Sequence, residues 1–323
     1  MDARLLAAVA VFSFSVGTSG PPQMSTETNK AVLLRLVDGI WNQGNLDLTD
    51  ELFTRGFVNH DPNPGAVADL DGYRAWVATW HAAFPDFRVE VHDLVAEGDR
   101  VAARLTATGT HRGDFLGVPA TGNRVTMKII NLYRLEGGGV AEVYRSYDLL
   151  GLGQQLGYFE PLPVETFPFS FARRTDPSEF VWGPASEVTG DPGDPESNKA
   201  LCVREIEEGW NRGDAAAALE IVAPTFVFHS IYPEVTDLES YRQWVVKHID
   251  PENPTQIAVK DLIAEGDRVV DLSVADLGRG LAETGIRISR FADGKMVEMW
   301  RNLNALPLLV GFGLLPTFPD SAG

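Results

Sequence analysis

The chain is written twice. Trp41 in IWNQGN returns as Trp210 in GWNRGD, and His60 in FVNH returns as His229 in FVFH, both 169 positions on (210 − 41). Tyr73 and Trp76 in GYRAW recur as Tyr241 and Trp244 in SYRQW, and DLVAEGDRV at Asp93 recurs as DLIAEGDRV at Asp261. The final pair is EVYRSYDLLGLGQQLG from Glu142 against EMWRNLNALPLLVGFG from Glu298, where the offset has shrunk to 156 (298 − 142). The second copy has therefore lost residues between its hairpin and its last strand, and the loss falls on the glycine-rich loop that carries His111. A tandem duplication allows only folds that close within one copy, so each half must bury its own core.

Each copy has the same order of elements. Val32, Leu33, Leu36, Val37, Ile40 and Trp41 recur at helical spacing, and a short helix follows at Asp47–Phe53. The strand Phe57–His60 comes next, then a helix over Leu70–Phe84 with Asp71 where a cap would stand. The rest is sheet: a hairpin turning at EGD, the loop HRGDFLGVPATGN, and two strands joined at Gly137–Gly139. Helices first and a long antiparallel sheet after them predict an α+β fold, with helices covering one side of a curved sheet.

The expected divisions are a signal-like or mis-called extension at 1–27, a first domain at 28–160, a linker at 161–196 and a second domain at 197–318. The apolar run Leu5–Val16 is too short to span a bilayer; it resembles a secretory signal, and Met24 offers an alternative start. Cytoplasmic residence is expected, with secretion as the outcome if the first 20 residues are a genuine signal. The linker is proline-rich and acidic, and Phe167, Phe169, Phe171, Phe180 and Trp182 make it more aromatic than a free tether. Part of it is expected to lie down on one of the domains.

Charge and motifs exclude several functions. A net charge of −18 repels nucleic acid and anionic membrane surfaces alike. The single Cys202 rules out an intrachain disulfide and a cysteine metal cage, and the six histidines show no metal-ligand spacing. There is no H-E-x-x-H and no Walker loop, and the glycines of GLGQQLG at 151, 153 and 157 miss the dinucleotide pattern.

The last strand carries the candidate chemistry. Glu142, Tyr144, Ser146 and Asp148 alternate with Val143, Arg145 and Tyr147, so as a strand the first set shares one face. Asp148 falls on Asn304 in the second copy, so an ionisable group has become an amide. It either acts as an acid or base in a pocket or caps the strand end.

The ordered set HAAFPDF, AEGDRVAARLTATGTHRGDFLGVPATGN, and Asp148 followed by GLGQQLG resembles the SnoaL-like polyketide cyclase family of the nuclear transport factor 2-like superfamily. The resemblance spans Asn29 to about Pro161, and more loosely Asn198 to Pro316. It implies two tandem cone-shaped α+β barrels, each with a deep pocket, and cofactor-free ring closure by intramolecular aldol condensation with an aspartate as acid/base. That aspartate is matched by Asp148. Two positions depart from the family pattern: Pro119-Ala120-Thr121 replaces P-P-T, and Asn131 stands about where cyclases resembling the founding member carry a histidine.

On this reading Asp148 is the general base, its pKa raised by an apolar pocket. His111 polarises a carbonyl or else holds the glycine loop together. His60, Asn131, Trp80, Tyr144 and Tyr73 are the candidate contacts to a small hydrophobic or aromatic substrate. Trp80 stands out because it becomes His248, whereas His60 keeps its counterpart His229. Asn59 and Asp61 flank His60, and Asp61 becomes Ser230. The second domain is expected to be degenerate and to form an intramolecular pseudo-dimer with the first. The alternatives are an enzyme resembling the epoxide hydrolases and epoxide cyclases of the superfamily, which use paired carboxylates, and a non-catalytic module that binds a small molecule.

Overall fold

The computed structural model describes residues 24–63, 67–162, 174–278 and 280–319. The expected signal-like stretch (1–23) and Phe167, Phe169 and Phe171 lie outside the described residues. The first copy runs α1 (Thr26–Arg35), α2 (Thr49–Leu52), β1 (Phe53–His60), α3 (Leu70–Ala83), β2 (Arg88–Glu97), β3 (Arg100–Thr110), β4 (Arg124–Glu136), β5 (Gly139–Tyr147) and α4 (Leu149–Gln155). The second runs α5 (Pro195–Arg204), α6 (Ala215–Glu220), β6 (Val222–His229), α7 (Leu238–His248), β7 (Gln256–Glu265), β8 (Arg268–Asp276), β9 (Ala282–Ala292), β10 (Lys295–Leu303) and α8 (Ala305–Gly311).

The two sheets have the same strand order, β1-β5-β4-β3-β2 and β6-β10-β9-β8-β7. They are mixed and not wholly antiparallel, because β1 pairs in parallel with β5, and β6 with β10. A strand that precedes the hairpins can join the far edge only by running alongside the last strand. The helix α3 is capped by Asp69, whose carboxylate accepts from Gly72 N, so the cap lies two residues before the expected Asp71.

The duplicated motifs have local work to do. In each copy the helix that begins the domain ends in a π-helical stretch, Leu36–Asn42 and Glu205–Trp210. The asparagine after the shared tryptophan then grips the neighbouring strand: Asn42 pairs both ways with the Val89 backbone, and Asn211 does the same with Ile257. In the loop before β4, Gly113 passes so close to α3 that an added Cβ would lie 2.3 Å from the Ala82 carbonyl. No larger residue fits there.

Each sheet wraps its inner face around its own helices and presses its outer face against the other sheet. Val95, Ala102, Ile130 and Leu132 meet Ile263, Val270, Leu272, Ile286, Ile288 and Trp300 there, with Trp182 of the linker wedged among them. The polar contacts repeat about a pseudo-two-fold axis: Glu97 accepts from Ala264 N and Glu265 from Ala96 N, while Arg100 pairs with Asp261 and Arg268 with Asp93. Phe180 and Trp182 are buried, and Trp182 Nε1 donates to the Leu105 carbonyl, so this part of the linker does lie on the first domain. Because each outer face is already covered, the 35.3 kDa chain is expected to elute as a monomer. A stable dimer through the first cone, seen by light scattering, would contradict that.

Candidate functional site

The site follows from which face of β5 looks inward. Val143, Arg145 and Tyr147 point into the first cone, and Tyr144, Ser146 and Asp148 point out toward the second. On β4 the inward set is Met127, Ile129, Asn131 and Tyr133. Trp41, Trp76 and Trp80 flank the cavity from the helices, and the empty space between these walls, the part open to solvent included, is about 410 Å³.

Arg145 supplies the charge in this cavity. It is 5% exposed, and among the described residues no carboxylate forms an ion pair with it. Its Nε donates to Asn59 Oδ1 at 2.8 Å, the guanidinium lies 5.2 Å from the Tyr73 ring, and Nη2 has no partner. Burial pushes its pKa down, but the Tyr73 and Tyr133 hydroxyls and Asp61 more than offset this, so it stays cationic. Around it stand Asn131, whose Nδ2 donates to the Tyr133 hydroxyl while its Oδ1 is unpartnered, and the buried Tyr73 hydroxyl close to the guanidinium. Tyr147 donates to Asp61 Oδ2 at 2.7 Å. Burial, and then the charge of Asp61, push the Tyr147 phenol well above its usual range, so it remains protonated.

Asp148 is not in this cavity. It caps α4 by accepting from Gly151 N, and Arg174 of the linker grips both of its oxygens, Nη2 to Oδ1 at 2.7 Å. Burial pushes its carboxyl up, but the Arg174 charge, the Arg174 hydrogen bonds and the Gly151 N–H outweigh this and hold it below the ordinary range. The expected raised pKa in an apolar pocket is therefore corrected. The missing term was a buried counter-ion from the linker.

His111 is also elsewhere. It is fully buried against Phe84, and its Nδ1 accepts from Thr121 N at 3.2 Å, which makes it the neutral pin of the glycine loop. Burial lowers its pKa further. His60 and Tyr144 stack on each other on the outer face, with rings 4.2 Å apart, and His60 Nε2 bonds Glu142. The second copy repeats this as His229 on Trp300 with Glu298. The repetition marks it as part of the shared outer framework, so both residues lie outside the first cone and border instead an open cleft shared with Lys260, Leu272, Val274 and Thr284 of the second domain. Of the expected substrate contacts, Asn131 and Trp80 line the cavity, and Tyr73 packs beneath Arg145.

The residues missed from sequence are Arg145, Tyr147 and Tyr133. Arg145 recurs as Arg301, which was a usable signal, but alternation alone leaves open which face of a strand looks inward. The second domain reaches this strand as well. Asn304 Nδ2 donates to the Arg145 carbonyl, and Asn302 Nδ2 donates to the Ser146 and Lys128 carbonyls, while Lys128 Nζ returns a bond to the Ser230 carbonyl. The amide that replaced the carboxylate thus holds the backbone that carries Arg145.

A SnoaL-like polyketide cyclase model matches residues 31–156, and a SnoaL-like domain model matches 203–299. The aklanonic acid methyl ester cyclase DnrD of Streptomyces peucetius is 32% identical over 148 residues, 44% of this chain and 96% of that protein. The cyclase of the same description from Streptomyces sp. strain C5 is 32% identical over 139 residues, 41% of this chain and 83% of its own. Among solved structures, TsrD from Streptomyces laurentii aligns at 29% identity with a TM-score of 0.39, covering 42% of this chain and 99% of its own. Two SnoaL-like units in tandem, one nearly spanning a cyclase-named relative, place this chain in the SnoaL-like polyketide cyclase family of enzymes.

Proposed function

We propose that the first cone catalyses ring closure, or the related isomerisation, of an aromatic, carbonyl-bearing polyketide, with Arg145 as the electrophilic group. The observation that carries this reading is a buried guanidinium with a free N–H, facing an aromatic cavity and paired with no carboxylate. Such a group stabilises an oxygen that gains negative charge more than it stabilises the neutral carbonyl.

The residues present support a proton relay. As Tyr147 takes a proton from the carbon beside the substrate carbonyl, it passes its own to Asp61 Oδ2 along the existing hydrogen bond. The electrons left on the substrate form an enolate whose oxygen is held by Arg145 Nη2, with Asn131 and Tyr133 alongside. The enolate carbon attacks a second carbonyl, one carbon–carbon bond forms, and the new alkoxide recovers the proton from Tyr147 as Asp61 returns it. Nothing is gained or lost. Trp41, Trp76 and Trp80 would hold the flat rings of the substrate and exclude water.

The test takes its substrate from the named relatives. Purified protein is incubated with aklanonic acid methyl ester, and the products are followed by chromatography and mass spectrometry. The expected result is a product of unchanged mass and altered retention, formed without added cofactor or metal. Uptake of water would favour the hydrolase alternative, and recovery of unchanged substrate the binding alternative.

A further inference from the structure

The second cone was expected to be a degenerate copy, yet its interior is not filled in. Between Trp210, Phe228, Tyr241 and Trp244 on the apolar side and a row of charged groups on the sheet side lies a space of about 460 Å³ when the part open to solvent is included. The register shows what changed. In the first cone Asn131 sits between Ala103 and Arg145; in the second, Arg287 sits between Asp271 and Arg301.

Arg287 Nε donates to Asp271 Oδ2 at 2.6 Å and Nη1 to Glu205 Oε2 at 2.5 Å, while Arg301 pairs with Glu283 at 2.5 Å. Glu205 Oε1 also accepts from Trp210 Nε1 at 2.9 Å. Three carboxylates thus face two guanidiniums, so this interior carries an excess negative charge where the first carries an unpaired positive one. An ion cluster that merely plugged a dead cavity would be an expensive filling, since apolar side chains of equal volume do as well or better. It would also leave no donors over. Here Arg287, 7% exposed, keeps Nη2 unpartnered, and Trp244 Nε1, which also borders the space, is unpartnered too.

We infer that the second cone holds a ligand site of its own, for an uncharged flat molecule that carries a carbonyl beside an N–H or O–H donor. The carbonyl answers the two spare donors, Arg287 Nη2 and Trp244 Nε1. The ligand's own donor answers Asp271, whose carboxylate lines the space and is held through Oδ2 by Arg287 Nε. The excess carboxylate rejects an anion of the same shape. The two cones therefore select ligands of opposite charge character, and the duplication has produced a second specificity.

Benzamide and benzoate are nearly the same shape and differ in charge and in the donor, so they serve as probes. Each is titrated into the full-length protein while the seven tryptophan indole N–H resonances are followed by NMR. Benzamide is expected to move Trp210 and Trp244, with Trp182 and Trp300 still, and benzoate is expected to bind there at least tenfold more weakly. Asp271→Asn should weaken benzamide about tenfold, and Glu205→Gln provides a second variant should the first fail to fold. Equal response of Trp210 and Trp244 to both probes, no response to benzamide, or unchanged affinity in a folded variant would overturn the inference.

Discussion

Asp148→Asn is expected to destabilise the first cone by about 3–5 kcal/mol, the usual cost of removing one partner from a buried ion pair. The reason is the group left behind. The Arg174 side chain is fully buried, and without the carboxylate its charge loses the group that grips it through two hydrogen bonds while staying close to Lys128, itself 4% exposed and pushed down to about 8 by burial. Denaturant unfolding of the wild type, Asp148→Asn, Arg174→Met and Asp148→Leu/Arg174→Met should show strong coupling, with the apolar pair close to wild type. A loss below about 1 kcal/mol in Asp148→Asn would mean that the pair does not hold the linker down.

The same pair makes the first cone acid-sensitive, and the sign follows from the shift. The folded-state pKa of Asp148 is depressed, so its contribution is fully present above the unfolded value of about 3.9 and is lost as pH falls below that toward the folded value. The loss should be smaller in the apolar double variant.

Arg145→Met is expected to act the other way: turnover falls at least about 100-fold, the scale of losing one donor to a developing oxyanion. Stability should hold or rise, by up to about 1–4 kcal/mol, because a buried guanidinium without an ion pair is replaced by an apolar chain of similar length. A gain in stability with loss of activity separates a group kept for chemistry from one kept for folding. If Arg145→Met unfolds the protein instead, the residue is structural. The measurements are thermal melts beside steady-state turnover of aklanonic acid methyl ester.

How much of this was legible without coordinates differs by kind of residue. The duplication and the element order followed from spacing, because periodicity and turn chemistry are local properties, and the cones were implied by the family resemblance. Even the face-sharing of Glu142, Tyr144, Ser146 and Asp148 was correct. What spacing could not convey was that this face meets the other domain, since both faces of β5 are buried, one by helices and one by the second sheet. The signature therefore pointed to Asp148 when the cavity took Arg145 and Tyr147. Nor could sequence reveal Arg174, which lies 26 residues away in a segment without periodicity. Asp61 stood out as a change between the copies and Asn131 as a departure from the family pattern, and both belong to the region around Arg145.

A ligand of the first cone is expected to sit against Arg145, with Asp148 in a structural role. Titrating benzoate into wild type, Arg145→Met and Asp148→Asn, read at the Trp41, Trp76 and Trp80 indole resonances, tests this most directly. The expected result is binding in wild type and in folded Asp148→Asn with similar affinity, and at least tenfold weaker binding in Arg145→Met. Binding that survives in Arg145→Met but is lost in folded Asp148→Asn would return the site to the carboxylate and contradict the account.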